Sequence, residues 1–172
     1  SENYSLSAEW YAGDASMFSI SAFGIDIESF TEGTIITIDE PDSDGIRRGP
    51  WPFNATTQGK GGEVSGYEIG GKVALSDFLG EDSIFANVGF DLNYTYADSK
   101  QETKDIDGDD LPFVGMSEDT YNAVVWYEND TFSTRLAWNS RSPRLHTAGG
   151  AGTGGQSLYQ DDYSQLDFNA SY

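Results

Sequence analysis

The sequence has no cysteine, one histidine, and only nine lysine and arginine residues among its 172. Without cysteine the chain has neither disulfide bonds nor thiol chemistry, and a single histidine excludes a multi-histidine zinc or iron site. No apolar run approaches the ~18 residues that a membrane-spanning helix needs. The 29 acidic residues give a net charge of −20. Such a chain cannot neutralise a phosphate backbone, so we expect no nucleic-acid partner.

The sequence also contains few residues in arrangements that are typical of enzyme active sites. A Ser-His-Asp triad would have to use His146, which lies beside a glycine-rich loop and outside any nucleophile-elbow motif. The first residues do not show the basic and then apolar pattern of a signal peptide. We therefore expect a non-enzymatic chain that is either mature or a fragment of a longer protein.

What the sequence does have is alternation and aromatic residues, with 20 glycines, 10 tyrosines, 10 phenylalanines and four tryptophans. The clearest stretch is residues 83–98, where apolar residues such as Ile84, Phe90 and Leu92 occupy the even positions. We call this the apolar parity. Asp91 and Asn93 occupy the odd positions, which we call the polar parity. Successive side chains of a strand point to opposite faces, and about ten tilted residues cross a bilayer. The stretch therefore predicts a transmembrane β-strand.

Six further segments alternate in the same way, and their connections are in turn short and long. The seven predicted strands are residues 4–11, 17–30, 63–75, 83–98, 121–127, 132–141 and 165–172. Long acidic or glycine-rich connections fall at 31–62, 98–117 and 142–162, and residues 34–38 predict a short extra strand. In 17–30 the apolar parity switches at Phe23, which predicts a β-bulge or an exit from the bilayer. Short turns on one rim and long loops on the other are typical of an outer-membrane barrel.

The faces of these strands support a membrane location over a soluble barrel. Eight charged residues within the strands have the polar parity, where they avoid the ~2–4 kcal/mol cost of a charge facing lipid, namely Glu9, Glu68, Lys72, Asp91, Glu128, Arg135, Arg141 and Asp167. The polar parity is otherwise rich in Gly, Ala, Asn and Ser, and Lys72 is its only lysine. A soluble lipocalin-like carrier, with its apolar face inward, is the alternative that this pattern leaves open.

Five stretches resemble segments of TonB-dependent receptors. They are AEWYAGDASMFSISAFGIDIESF, GEVSGYEIGGKVAL, NYTYADSK, LPFVGMSEDTYNAVVWYENDTFSTRLAWNSRSPRL and YSQLDFNASY, in the same order and with compatible spacing. The resemblance implies an active transporter of the bacterial outer membrane, with a 22-stranded barrel, an internal plug and a TonB box. This chain shows seven strands and neither plug nor TonB box, so we expect residues 1–172 to be part of the C-terminal half of such a barrel.

The expected fold is therefore an all-β, antiparallel, up-and-down transmembrane barrel segment. The resemblance implies as partners the outer-membrane lipid, the plug and remaining strands, the TonB complex acting through that plug, and a bulky nutrient. Receptors for carbohydrates resemble the chain most, and iron chelates come next. A structural or adhesive β-protein that works through its acidic loops is a further alternative. No cofactor is expected.

Three groups of residues are candidates for function. The predicted pore face carries residues that would line a substrate path or hold the plug, namely Glu68, Lys72, Asp91, Trp126, Glu128, Arg135, Arg141 and Asp167. Glu128 and Arg135 flank one tight turn and are predicted to pair across it. Trp51 and Phe53 could contact ligand in their loop, or be buried within it. Asp105, Asp107 and Asp109 resemble a calcium loop, but Asp110 and Met116 stand where the EF-hand needs Gly and Glu, so a solvated acidic loop is the alternative.

Overall fold

The computed structural model describes residues 1–80, 82–149 and 155–172. Apart from one short 3₁₀ turn at Leu75–Asp77 its regular elements are all strands. These are β1 (Glu2–Tyr11), β2 (Met17–Ile27), β3 (Thr31–Ile38), β4 (Trp51–Gln58), β5 (Gly62–Ala74), β6 (Val88–Lys104), β7 (Asp110–Leu111), β8 (Asp119–Glu128), β9 (Ser133–Arg141), β10 (Arg144–Thr147), β11 (Leu158–Gln160) and β12 (Tyr163–Ser171). Within the described ranges, no helix has the length and apolar character to span a bilayer.

The predicted strands form one antiparallel sheet in the order β1-β2-β5-β6-β8-β9-β12, with β7 pairing beside β6. Each strand of this path pairs with the next one along it, which confirms the all-β up-and-down segment. The connections β1–β2 (residues 12–16), β5–β6 (75–87) and β8–β9 (129–132) lie at one edge, which we call the short-turn edge, although the second of them is longer than the predicted turn and contains the 3₁₀ turn. The other connections lie at the long-loop edge and contain the hairpins β3–β4 and β10–β11. The loop segment at 150–154, part of the glycine-rich stretch, lies outside the described residues.

The pairing register places the apolar parity of every strand on the same side of the sheet, which we call the apolar face. Its members are Tyr4, Leu6, Ala8, Trp10, Phe18, Ile20, Ala22, Tyr67, Ile69, Val73, Phe90, Leu92, Tyr94, Tyr96, Tyr121, Ala123, Val125, Tyr127, Leu136, Trp138, Leu166, Phe168 and Ala170. No second layer covers them among the described residues, and Leu136 and Phe168 are 41% and 71% exposed. An enclosed apolar interior, as in a soluble carrier, is therefore not formed.

Aromatic rings on this face gather in two groups. Near the long-loop edge, neighbouring rings lie 4.8–6.4 Å apart in the series Tyr96, Tyr67, Tyr94, Tyr121 and Trp138. Near the short-turn edge, Trp10 stacks on Phe18 at 5.6 Å and Tyr127 lies 6.3 Å from Phe132. Amphipathic rings favour the headgroup level of a membrane, so the two groups mark the borders of an apolar band.

The two edges are staggered, as tilted strands require. The row of partners through Tyr11 of β1 reaches β6 at Asp91, whereas Glu128 of β8 donates its backbone N–H to the carbonyl of Asn87. Measured along β6, the end of β1 is therefore level with Asp91, and the end of β8 is level with Asn87. The short-turn edge has thus shifted by four residues over the four strand-to-strand steps from β1 to β8. A shift of one residue per strand, at ~3.3 Å per residue and ~4.8 Å between strands, corresponds to a tilt of about 35°.

Four glycines of the sheet lie directly opposite aromatic side chains. The pairs are Tyr4 with Gly24, Phe18 with Gly71, Phe23 with Gly66, and Trp126 with Gly89. In each pair a Cβ on the glycine would meet the ring of its partner. The rings therefore lie flat over backbone that has no side chain of its own, which restores packing at positions where glycine weakens a strand.

Two details of the predicted strands are wrong. The parity switch in residues 17–30 is not a bulge, because β2 pairs with β1 and β5 without any shift of register. Phe23 simply lies on the polar side of the sheet, over Gly66. The organising strand begins at Val88 instead of Ser83, and Ile84, in the preceding turn, is 80% exposed. At its other end β6 continues to Lys104, where it supports β7.

Asp77 joins two of the short turns. Its carboxylate accepts hydrogen bonds from the backbone N–H groups of Asp14 (3.2 Å) and Ala15 (3.1 Å) in the β1–β2 turn. The buried Ser16 hydroxyl accepts the N–H of Ala74, immediately before the 3₁₀ turn, at 3.0 Å. The Ser16 hydroxyl, and then the N–H groups of Ala15 and Asp14, hold the pKa of Asp77 below its ordinary value. The short-turn edge is thus fastened by an ionised carboxylate.

We predict that Asp77→Asn loosens this edge in a pH-dependent way. Because the pKa of Asp77 is lowered by folding, its stabilising contribution is present above the ordinary aspartate pKa of about 4 and is lost as the pH falls through the folded-state value. The urea midpoint of the folded protein in detergent should therefore drop in the variant at pH 7, and the difference should shrink at pH 3. Asp82→Asn, in the same connection, is the control. An equal drop at both pH values would contradict the assignment.

Candidate functional site

The side of the sheet opposite the apolar face carries every charged residue that the sequence predicts for a pore wall, and we call it the polar face. The register places all eight candidates on it, namely Glu68, Lys72, Asp91, Trp126, Glu128, Arg135, Arg141 and Asp167. Alternation along each strand is sufficient for this outcome, because no register shift interrupts the pairing of these seven strands.

One group of candidates meets near the short-turn edge. The indole of Trp126 lies over Gly89, and the Lys72 ammonium is 6.0 Å from the centroid of its ring. Arg135 is the direct partner of Trp126 on β9, and Asp91 lies opposite Lys72 on the neighbouring strand. These side chains and Glu128 line one open depression. An aromatic surface bordered by charges of both signs can bind the apolar face of a ring while hydrogen-bonding its substituents.

The predicted pairing of Glu128 with Arg135 is not formed. Glu128 lies opposite Ser133, two residues from Arg135, and their charged groups are not within 4.0 Å of each other. The turn between β8 and β9 is held instead by Asn129, whose side-chain oxygen accepts the N–H groups of Thr131 and Phe132 at 2.9 and 2.8 Å. The loop length therefore sets a register that puts Arg135 beside Trp126.

A row of amides crosses the middle of the polar face. Asn93, Asn122, Asn139 and Gln165 are direct partners on β6, β8, β9 and β12, and we call them the amide row. Each amide both donates and accepts hydrogen bonds. In the part of the chain that the structure describes, the side chains of the three asparagines make no hydrogen bond with protein, so their capacity is free for a ligand.

A second row lies next to the amide row, toward the long-loop edge. It runs through Glu68, Thr95, Thr120, Arg141 and Tyr163. The guanidinium of Arg141 is 5.2 Å from the ring centroid of Tyr163. The Tyr163 hydroxyl donates to the Gln165 side-chain oxygen at 2.5 Å, and the Gln165 amide donates to Asp167 at 2.7 Å. Arg141 and Asp167 are thus joined along β12 by two side chains.

The hairpin β3–β4 carries the two predicted loop contacts. Trp51 pairs with Ile38 and Phe53 with Ile36, so that these four side chains share one face of the hairpin. Trp51 and Phe53 are 51% and 54% exposed, which shows that the alternative of burial within their own loop is wrong. Arg48 forms ion pairs with Asp42 and Asp44 at the hairpin tip. The loop therefore presents apolar rings on a folded arm whose own charges are mutually paired.

The candidate calcium loop has a local structural role. The Asp105 carboxylate accepts the N–H groups of Asp107 and Asp109 at 2.9 and 2.8 Å, closing the turn that ends at Gly108. Over the described ranges, no three acidic or histidine side chains come together as a metal site. Asp105, Asp107 and Asp109 are not brought together around a common point.

Several residues of the polar face were missed by reasoning from charge. Asn122, Asn139, Gln165 and Tyr163 are uncharged, and single polar residues on a strand carry no signal in one sequence. The register supplied the signal, since only pairing shows that the four amides form one row. Their common parity with the charged residues was visible in the sequence, but their alignment was not.

Comparison with known proteins gives one family. The family model described as "TonB dependent receptor-like, beta-barrel" matches residues 1–172. No curated protein matches the chain.

Proposed function

Because the chain belongs to the TonB-dependent receptor β-barrel family, we propose that it forms part of the wall of a transporter that imports a bulky carbohydrate. The family consists of outer-membrane transport receptors rather than enzymes, and it implies the bacterial outer membrane with its lipid. The nutrient and the working residues are the parts that we propose. The apolar face would contact lipid and the polar face would line the path.

The observation that carries the carbohydrate proposal is the amide row together with Trp126, which lies on the same face of β8 four residues from Asn122. Sugars present many neutral hydroxyl groups, each a donor and an acceptor, and amides match both functions without a charge to desolvate. Trp126 offers a flat ring held over Gly89, which suits the apolar face of a pyranose.

We further propose that residues 1–172 supply wall and loops only, and that a plug and a TonB box belong to the same receptor. Lys72 and Arg135 have no carboxylate within 4.0 Å among the described residues, although the chain has 29 acids. Both side chains are exposed in this depression, and acidic groups of a plug would supply them with ion-pair partners. The TonB complex would act on the wall through that plug.

The test is saccharide binding by the full receptor in detergent. Asn122→Leu with Asn139→Leu removes two adjacent amides, and at about 1 kcal/mol for each hydrogen bond affinity for a bound neutral oligosaccharide should fall about tenfold or more. Asn87→Leu, in the β5–β6 turn, is the matched control. Binding of an iron chelate in place of any saccharide, or unchanged saccharide affinity in the double variant, would contradict the proposal.

We also predict that the β3–β4 hairpin captures ligand through Trp51 and Phe53. Trp51→Ala and Phe53→Ala should each weaken saccharide binding about three- to tenfold, because stacking of a ring on an exposed aromatic contributes about 1 kcal/mol. Ile35→Ala lies on the other face of the same hairpin, opposite Asn54, and serves as control. Titration calorimetry on the receptor measures all three. An equal loss in the Ile35 variant would indicate unfolding of the hairpin instead of a lost contact.

A further inference from the structure

Arg141 combines two features: it forms no ion pair among the described residues, as is also true of Lys60, Lys72, Arg135 and Arg144, and part of its guanidinium is shielded from solvent. Arg47, Arg48, Lys100 and Lys104 each form an ion pair with an aspartate, all of them in or next to the long loops. Within the described ranges, Arg141 has no carboxylate within 4.0 Å, and its Nε atom is shielded from solvent without a hydrogen-bond partner. In a chain with net charge −20 this is a charge left unneutralised.

The guanidinium is nevertheless held in place. It lies 5.2 Å from the centroid of the Tyr163 ring, its direct partner across the β9–β12 pair. The Tyr163 hydroxyl is in turn fixed by Gln165, and Gln165 by Asp167. A guanidinium stacked on an aromatic ring keeps its N–H edge free, and that edge matches the two oxygens of a carboxylate. Tyr163 thus acts as a support that orients Arg141.

The surrounding residues offer no acid to this edge. Asp119, next to the Arg141 partner Thr120, lies on the apolar face, where it accepts the Tyr94 hydroxyl at 2.6 Å. Asp167 lies four residues along β12 from Tyr163 and is bonded to Gln165. Asp161 and Asp162 directly precede Tyr163, but among the described residues neither forms an ion pair with Arg141 within 4.0 Å.

We propose that Arg141, supported by Tyr163, binds the carboxylate of an acidic saccharide. Arg141 and Asn139 are two residues apart on one face of β9, so the anion site adjoins the amide row. One sugar unit could place its carboxylate on the guanidinium and its hydroxyls on Asn139 and Thr120. This inference rests on the proposed carbohydrate uptake and narrows it to sugars bearing a carboxylate.

The experiment compares two ligands that differ by one group. The full receptor in detergent is titrated with an oligogalacturonate and with the neutral galactose oligomer of the same length and linkage. The wild type should bind the uronate at least about tenfold more tightly, since a charge-assisted bidentate pair contributes about 1.5–3 kcal/mol. Arg141→Gln should abolish that preference, because the affinity for the uronate should fall much more than the affinity for the neutral oligomer. Arg141→Lys, which keeps the charge and loses the planar edge, should retain only part of it.

The control is Arg144→Gln, in β10, whose side chain is bonded to Gln160 and to the Gly115 carbonyl. Heat-modifiable migration in gels checks that each variant is folded. If the wild type binds both oligomers equally, the anion site is refuted while carbohydrate uptake stands. If it binds neither, the carbohydrate proposal fails first. A sulfated oligomer that binds more tightly than the uronate would refute the carboxylate assignment. If Arg141→Gln lowers the affinity for both oligomers equally, Arg141 has only a structural role.

Discussion

Leu92→Arg should strongly destabilise the inserted barrel. Leu92 lies in the middle of the apolar face, 56% exposed, between Gly71 and Ala123 on the neighbouring strands. An arginine that faces lipid near the bilayer midplane costs about 2–4 kcal/mol, which is a large part of the total stability of a typical protein. We expect a correspondingly lower urea midpoint of the receptor folded into lipid vesicles, and little folded protein in outer membranes.

The neighbouring residue provides the matched control. Asn93 has the opposite parity and lies on the polar face, so Asn93→Arg adds the same side chain one position away and on the other side of the sheet. It should fold and insert normally, although it would disturb the amide row. If both variants insert equally well, or if Asn93→Arg is the one that fails, the assignment of the apolar face to lipid is wrong.

Gly66→Val should be the most damaging substitution at a glycine of the sheet. A Cβ at Gly66 would overlap the backbone carbonyl of Tyr96 and would lie 2.8 Å from the Phe23 ring. The ring can turn away, but the carbonyl belongs to the adjacent strand and cannot move without breaking the β5–β6 ladder. Overpacking of this kind costs about 1–3 kcal/mol, and valine adds two methyl groups beyond the Cβ. We expect a matching decrease in the free energy of unfolding measured by urea titration.

Gly33→Val separates this clash from the general effect of replacing glycine in a strand. Gly33 is in β3, and a Cβ there would meet no atom within 4 Å. The substitution should be neutral or slightly stabilising, because valine has the higher strand propensity and restricts the unfolded chain. A destabilisation at Gly33 equal to that at Gly66 would show that the close approach of Tyr96 is not the cause.

The faces of the sheet could be predicted from sequence because alternation is a local property. Leu92 and Asn93 need only their neighbours along one strand to be assigned to opposite sides, and the seven strands of the sheet path were all predicted. The rule failed where a residue is placed by its cross-strand partner instead. Phe23 broke the apolar parity and suggested a bulge, but it lies flat over Gly66 on the polar face. One sequence does not reveal which glycine an aromatic ring will cover.

The candidate site was predictable in its charges and not in its alignment. Arg135 and Arg141 were expected on the pore side, but their partners depend on register, which the β8–β9 turn fixes. Strand β4 was not predicted from the sequence. It begins at Trp51 and contains Pro52, and a proline argues against a central strand. It forms because β3–β4 is a hairpin of two edge strands, where a missing N–H is tolerated.

The tilt of the strands also sets the diameter that a closed barrel of a given strand number would have. If about 22 strands close with the stagger of one residue per strand seen here, simple geometry gives a cylinder about 40 Å across between opposite backbones. An aperture of that size would pass antibiotics, bile salts and small folded proteins with no selectivity. If the proposed plug occupies this bore, a nutrient can pass only when the plug moves, and import through such a wall would then not be passive diffusion.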